Sequence, residues 1–365
     1  MTLVDPKELY PYLNAILEST GDEVRLGGVV EGDRVFDSRE TTRFVWNYGV
    51  TLPKMRQLYR RGVDSQWNAD DLPWDTDVDL EGKVFDIDPA WAEADWFLKM
   101  GKKEQKRLTI EYNTNLISQF MHGEQGALQA ASQLTTAVPD MDSKFYAASQ
   151  AFDEARHVEV FSRYIHEKLD REYPCTQNLF NLIQAITVES RWDFKFLGMQ
   201  MVVEGLAISA FMSLLQRTHD PLFQQLVRLV LRDEARHVAF GVISLKDFYI
   251  EMNEKERRER QEFVYEACVL MRGRLISGEA YERMGVNPET IKATMRESQE
   301  YRGFIGLLFA QIVPNMKKIG LLDGWLAERF DEMGVLQFKD YDADAVLESL
   351  IMGTDPPSLD MRAAG

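Results

Sequence analysis

Residues 153–157 read Asp-Glu-Ala-Arg-His, and residues 233–237 repeat the same five letters 80 positions later. On a helix, Glu-x-x-His sets a carboxylate and an imidazole on one face, one turn apart. A single pair of this kind is unremarkable in a helical protein. Two identical copies ask for two helices that turn the same polar face toward a common object, and a pair of metal ions inside a helical bundle is such an object.

The helix breaks extend this reading to four helices. They fall at Val138-Pro139-Asp140, Tyr173-Pro174, His219-Asp220-Pro221 and Gly285 to Pro288. Pro139 lies 15 residues after Glu124 and 15 before Glu154; His219 lies 15 after Glu204 and 15 before Glu234. In an antiparallel hairpin, residues equidistant from the turn face each other at one height, here about 22 Å from each turn. Two hairpins therefore bring Glu124, Glu154 and His157, and Glu204, Glu234 and His237, to matched depths. The 47 residues from His157 to Glu204 are enough for one long crossover, with Pro174 at a corner.

Four carboxylates and two neutral imidazoles balance two divalent cations, the condition for burying such ions in a core. Glu124 and Glu204 sit in apolar or small-residue stretches, Phe120-Met-His-Gly-Glu and Met201-Val-Val-Glu-Gly, where a lone carboxylate is expensive. Asp153 and Asp233 precede their histidines by four residues, the spacing at which a carboxylate takes the second imidazole N–H. Arg156 and Arg236 are expected to pair with the Asp of the opposite motif. His122 lies about 200° around its helix from Glu124 and points elsewhere; His166 and His219 fall on surface or turn segments.

Composition excludes other classes. With 45% apolar and 11% aromatic residues the chain buries a large core, and its net charge of −17 disfavours nucleic acid and anionic membranes. No run of 18 apolar residues occurs, so no membrane span is expected. The first residues lack a basic-then-apolar signal, so a cytoplasmic location is expected. Cys175 and Cys268 alone make neither a disulfide framework nor a thiolate metal site, so a metal is held by oxygen and nitrogen. Residues 1–88 read as an N-terminal helical and irregular segment packing on the bundle, with a Gly27-Gly28 turn, a helix around 40–61 and a non-helical strap at Gln66 to Asp75. Residues 89–350 read as the helical domain, helical from Pro89 onward, and 351–365 as a flexible tail.

At Asp-Glu-x-Arg-His the sequence resembles the ferritin-like di-iron oxidase and oxygenase superfamily, firmly over about 105–250. That superfamily includes multicomponent monooxygenases, acyl-carrier-protein desaturases, ribonucleotide reductase small subunits and their ligand-binding oxidase relatives. The resemblance implies an all-α, ferritin-like four-helix bundle with additional helices and an irregular N-terminal segment. It implies two iron ions per chain, or Mn/Fe, bound by Glu124, Glu154, His157, Glu204, Glu234 and His237, with Asp153, Arg156, Asp233 and Arg236 behind them. An external electron donor of the ferredoxin or reductase type, O2, an organic substrate and a homodimer follow from the same resemblance.

Departures narrow the branch. Phe161 stands where reductase small subunits carry a radical tyrosine, and Ile208 where multicomponent hydroxylases carry a threonine. Gly126 and Met199 replace the Val–Tyr cross-link pair of ligand-binding oxidases, and Val230 replaces the third histidine of arylamine N-oxygenases. The expected activity is O2-dependent hydroxylation, desaturation or N-oxygenation of a small or acyl substrate, in an apolar pocket lined by Phe120, Ala127, Phe161, Met201 and Ile208. The alternative is iron oxidation or peroxide scavenging of the ferritin and rubrerythrin type.

Overall fold

Each expected hairpin turn is closed by an aspartate that caps the helix after it. Asp140 accepts hydrogen bonds from the Ser143 backbone N–H (2.8 Å) and hydroxyl (2.7 Å). Asp220 accepts from the Leu222 N–H at 3.0 Å, with Pro221 at the first helical position, where its missing N–H costs nothing. In the computed structural model, which describes residues 5–169, 171–273 and 279–354, the main helices are α1 (Pro53–Asp64), α2 (Lys102–Ala137), α3 (Met141–Tyr164), α4 (Gln177–Val188), α5 (Trp192–Arg217), α6 (Pro221–Lys246) and α7 (Glu254–Gly273). Helices α2 and α3 form the first hairpin and α5 and α6 the second. The crossover runs from Ile165 through α4 to Arg191, and α4 packs on α2. Among the described residues the only β-type pairings are two isolated bridges, Val29 with Thr176 and Phe85 with Thr218.

Helix α5 is the spine. It is long and apolar enough on average to pass for a membrane-crossing helix, but Lys195, Gln200 and Glu204 interrupt it, so it holds no run of 18 apolar residues, and its apolar window is 89% buried inside the protein. Its neighbours α4, α6 and α7 supply that burial, so it is a core helix. Leu197–Val203 within it is π-helical, a wide turn that immediately precedes Glu204. Two glycines make room for it. A Cβ on Gly241 of α6 would lie 2.5 Å from Met201 Cε and 2.9 Å from Gln200 Cβ, and one on Gly198 would lie 2.4 Å from Ile186 Cγ1 of α4.

The N-terminal segment departs from expectation in one respect. The helix read around 40–61 begins at Pro53, and residues 40–52 have no regular structure. Proline lacks the N–H that a helix interior needs and drives the residue before it out of the α region, so Pro53 can only open a helix. Likewise 89–93 are turns, with a short helix at Asp95–Leu98 before α2. The Gly27-Gly28 turn is present, both residues having positive φ, and the strap holds one 3-10 turn, Ala69–Asp71. From residue 355 on, the tail lies outside the described residues.

Buried Asp142 ties this segment to the first hairpin. Its Oδ2 accepts from the N–H groups of Thr51 and Leu52 (both 2.8 Å), and its Oδ1 pairs with Arg56 Nε at 2.6 Å. Burial alone would raise the carboxyl's pKa, but the Leu52 and Thr51 N–H groups and the Arg56 guanidinium hold it below the ordinary value. A depressed pKa contributes stability above the unfolded value and loses it as pH falls through the folded one. Replacing Asp142 with Ala should therefore cost about 2–4 kcal/mol at neutral pH in urea unfolding. The gap from the unmodified protein should shrink once the pH drops below about 3.9.

Candidate metal centre

The hairpins bring the six expected residues together in the middle of the bundle. Ligand atoms of Glu124, Glu154, His157 and Glu234 all lie within 4.8 Å of one another, as do those of Glu154, Glu204 and His237. All six residues are buried. His157 Nδ1 faces Glu234 Oε1 at 3.1 Å, Glu154 Oε2 at 3.3 Å and Glu124 Oε2 at 3.4 Å. His237 Nδ1 faces Glu154 Oε1 at 3.0 Å and Glu234 Oε2 at 3.7 Å. Glu154 and Glu234 thus each reach both imidazoles and span the two halves of the cluster.

Both Nδ1 atoms, Oε2 of Glu154 and Glu204, and both oxygens of Glu234 are buried with no hydrogen-bond partner. Buried polar atoms are normally satisfied, and six converging orphans of metal-binding type are what a pair of cations would satisfy. The electrostatics agree. Burial pushes the carboxyls of Glu124 and Glu204 well above the ordinary range, and the charge of Glu234 adds to the push. Burial opposes protonation of both imidazoles, yet the surrounding carboxylates carry their pKa values well above normal. Glu154, despite its burial, is brought down by His237 and His157. Without cations the cluster draws protons to offset its negative charge; two divalent ions would supply that charge directly.

Behind the cluster the pairing differs from the sequence expectation. His157 Nε2 meets Asp233 Oδ2 (3.3 Å) and His237 Nε2 meets Asp153 Oδ2 (3.4 Å), so each imidazole uses the aspartate of the opposite motif. Helices α3 and α6 pack together, and an imidazole whose Nδ1 faces inward carries its Nε2 across that seam. The short Asp one turn back on its own helix is left beside Arg. Arg156 bridges its own Asp153 (2.7 Å) and the opposite Asp233 (2.8 Å), and Arg236 likewise touches Asp233 (2.5 Å) and Asp153 (3.5 Å). The two aspartates and two arginines form one neutral buried square.

Several residues around the site carry no signal in the repeat itself. From the strap, Gln66 Nε2 donates to Asp153 (2.9 Å), Trp67 Nε1 donates to Asp233 (2.8 Å), and Arg156 lies 4.4 Å over the Trp67 ring. Fully buried Gln150 donates to Glu204 Oε1 (2.8 Å) and Glu154 Oε1 (3.0 Å), and accepts from Gln200 Nε2 at 3.3 Å. Gln150 stands four residues before its Glu-x-x-His, where the second copy has Val230; aligning the flanks of the repeats would have exposed it.

Of the five expected pocket residues, Phe120 and Ala127 line the small cavity that reaches the carboxylates. Phe161 instead stacks on Phe211 in the core, Met201 fits against Gly241, and Ile208 is buried in packing. The cavity's other walls, Gln119, Gly123, Val203 and Ala207, come from α2 and α5 at helical spacings around Glu124 and Glu204. His122, His166 and His219 lie apart, contacting Tyr173 O, Glu172 and Asp86. A cleft of about 1070 Å³ beside Arg272 and Tyr301 does not touch the cluster.

Fold, cluster and family match together define the class: an O2-activating, non-haem di-iron oxidoreductase of the oxygenase/oxidase kind on a ferritin-like helical bundle. The sequence profile of the family described as P-aminobenzoate N-oxygenase AurF matches residues 54–320, and the chain belongs to that family. Among solved structures, an R2-like ligand-binding oxidase with an aerobically reconstituted Mn/Fe cofactor is 16% identical, over 76% of this chain and 99% of its own, with a TM-score of 0.46. The R2-like ligand-binding oxidase from Sulfolobus acidocaldarius is 18% identical, over 73% and 91%, at 0.43. Streptococcus sanguinis dimanganese(II)-NrdF is 13% identical, over 89% and 99%, at 0.45.

The buried square yields a stability contrast. Replacing Asp233 with Ala leaves two buried arginines sharing one aspartate and should cost about 3–5 kcal/mol in chemical denaturation of the chelator-treated protein. Replacing Asp86, which pairs with Lys83 and His219 at the surface, should cost under about 1 kcal/mol.

Proposed function

We propose that Glu124, Glu154, His157, Glu204, Glu234 and His237 hold two iron ions per chain, and that the enzyme oxygenates the nitrogen of an amine. The six buried, unpartnered ligand atoms carry the metal assignment; membership of a family named for N-oxygenation supports the reaction type, with Val230 in place of the third histidine that arylamine N-oxygenases carry. Mn/Fe would use the same donors. When bound and reduced, the metal pair supplies the activation of O2.

The chain's own residues do the positioning. Glu154 and Glu234, which each reach both imidazoles, would serve both ions, and Glu124 and Glu204 would each serve one. Asp233 and Asp153 accept the Nε2–H of His157 and His237, which leaves each Nδ1 lone pair for a cation. Gln150 occupies Glu204 Oε1 and leaves Oε2 free to ligate. Phe120, Phe161 and Phe211 pack into one aromatic group that excludes water from the ligand helices.

The bundle within 89–350 is the unit that bears the site, with 1–88 packed on it. Returning the metals to the reduced state needs an external donor of the ferredoxin or reductase type. A homodimer has a candidate contact in Phe44, Trp46 and Tyr48, each more than 60% exposed on an irregular segment. The cytoplasm is the proposed location.

Anaerobic Fe(II) titration with chelator competition should find two ions per chain. Glu204→Ala should weaken one of them by about 10-fold or more, while His157→Ala weakens the other. With O2, a reductant and an aromatic amine, mass spectrometry should detect the N-hydroxylated product. Failure to bind two irons overturns the assignment. Formation of a mineral core or of H2O2 with no organic product would return the ferritin- or rubrerythrin-type alternative.

A further inference from the structure

Serine and threonine inside a helix often return the hydroxyl to the carbonyl four residues back. Thr109, Thr114, Ser118 and Ser132 do so along α2. Ser209 of α5 does not. Only 2% exposed, its Oγ has no hydrogen-bond partner, and an orphaned buried hydroxyl asks for an explanation. It stands five residues after Glu204, about 140° around the helix, so it faces away from the metal centre.

In front of Ser209 lies a cavity of about 240 Å³, closed on its other side by the helix Gln299–Leu308 and the turn at Asp88-Pro89-Ala90. Tyr301, Phe304 and Leu307, three residues apart, turn one face of that helix to α5. Ser209, Ala90 and Leu307 are buried at the inner end, while Pro89 and Glu300 are exposed at the mouth. Arg217 is the one cation among the described lining residues, and its Nη1 pairs with Asp88 at 2.9 Å. A water at the inner end would find Ser209 as its one side-chain partner, short of the two to four that hold a buried water.

We infer that this cavity is a second, non-catalytic small-molecule site, for an uncharged single-ring compound of the phenol class. Its volume lies below the range of drug-sized pockets and suits one ring. Tyr301 and Phe304 offer aromatic contact to that ring, and Ser209 Oγ exchanges a hydrogen bond with its hydroxyl. A charged compound finds no free counter-ion there. The site shares α5 with the metal centre but no lining residue with the cavity at the carboxylates. It therefore stands whether or not the chain oxygenates amines.

The test is anaerobic equilibrium dialysis of radiolabelled phenol against the full-length protein, with and without Fe(II). One equivalent per chain should bind with a Kd on the order of 1 mM in both cases. Ser209→Ala should weaken phenol about threefold or more and leave toluene, which lacks the hydroxyl, within about twofold. Ser213→Trp, which plugs the cavity from a partly exposed position, should weaken both about tenfold or more. Circular dichroism checks that each variant is folded. Unchanged phenol binding in Ser213→Trp overturns the inference, as does the absence of saturable binding. Binding that requires Fe(II) also overturns it, since that would place phenol at the metal centre.

Discussion

Four carboxylates forced to one point inside an apolar bundle are the constraint on which the rest of the structure depends. Left alone, they would repel one another and pay for lost hydration. Proton uptake on Glu124, Glu204 and the two histidines relieves part of this, as the displaced pKa values indicate. The surrounding architecture does not neutralise the carboxylates. It neutralises itself instead, with Asp153, Asp233, Arg156 and Arg236 closing into a square of zero net charge behind the imidazoles. The deficit is thereby confined to the ligand atoms, where cations can meet it. Because both square and cluster draw on α3 and α6, the same contacts that hold the hairpins together also aim the histidines.

The same demand explains the irregular geometry of α5. A regular helix passing between α4, α6 and α7 must present Glu204 inward and still pack on all three neighbours. The π-helical turn at Leu197–Val203 shifts the register just ahead of Glu204 and swells the helix toward α4 and α6. Gly198 and Gly241 accept the swelling, since a single added methyl at either position would collide with Ile186, Met201 or Gln200. Glycine weakens a helix interior by roughly 0.5–1 kcal/mol relative to alanine, a modest cost beside the overpacking it avoids.

Much of this was legible in the letters. The 15-residue symmetry about Pro139 and His219 reported which four helices meet and at what depth, because helical rise is uniform and Asp140 and Asp220 cap where the breaks predict. What escaped was finer detail of the packing between helices: which aspartate each imidazole uses, and which faces are filled by neighbours. Asp153 and His157 share a face, so the spacing pairs them; only the packing of α3 on α6 shows each imidazole crossing to the other motif. Phe161, Met201 and Ile208 have the right helical phase for a pocket, yet phase does not tell a lining residue from one filled by its neighbours. A helix over 40–61 would put Pro53 in its interior, where the missing N–H is not tolerated, and the helix begins at that proline instead.

The pseudo-symmetry of the repeat is broken one turn before the ligands, and the break orients the site. Gln150 and Gln200 stand four residues ahead of Glu154 and Glu204; Gln200 donates to Gln150, and Gln150 donates to both carboxylates. Phe120 and Val230, four residues ahead of Glu124 and Glu234, offer only carbon, and Phe120 lines the cavity. A layer of amides therefore closes one side of the cluster with directed donors, and an apolar layer borders the other. Any molecule reaching the carboxylates from the amide side would have to break bonds that hold Glu204 in place. From the Phe120 side it displaces nothing but apolar contact. The repeat supplies the two halves of the ligand cluster, and the unequal flanks leave the Phe120 side the less obstructed way to its carboxylates.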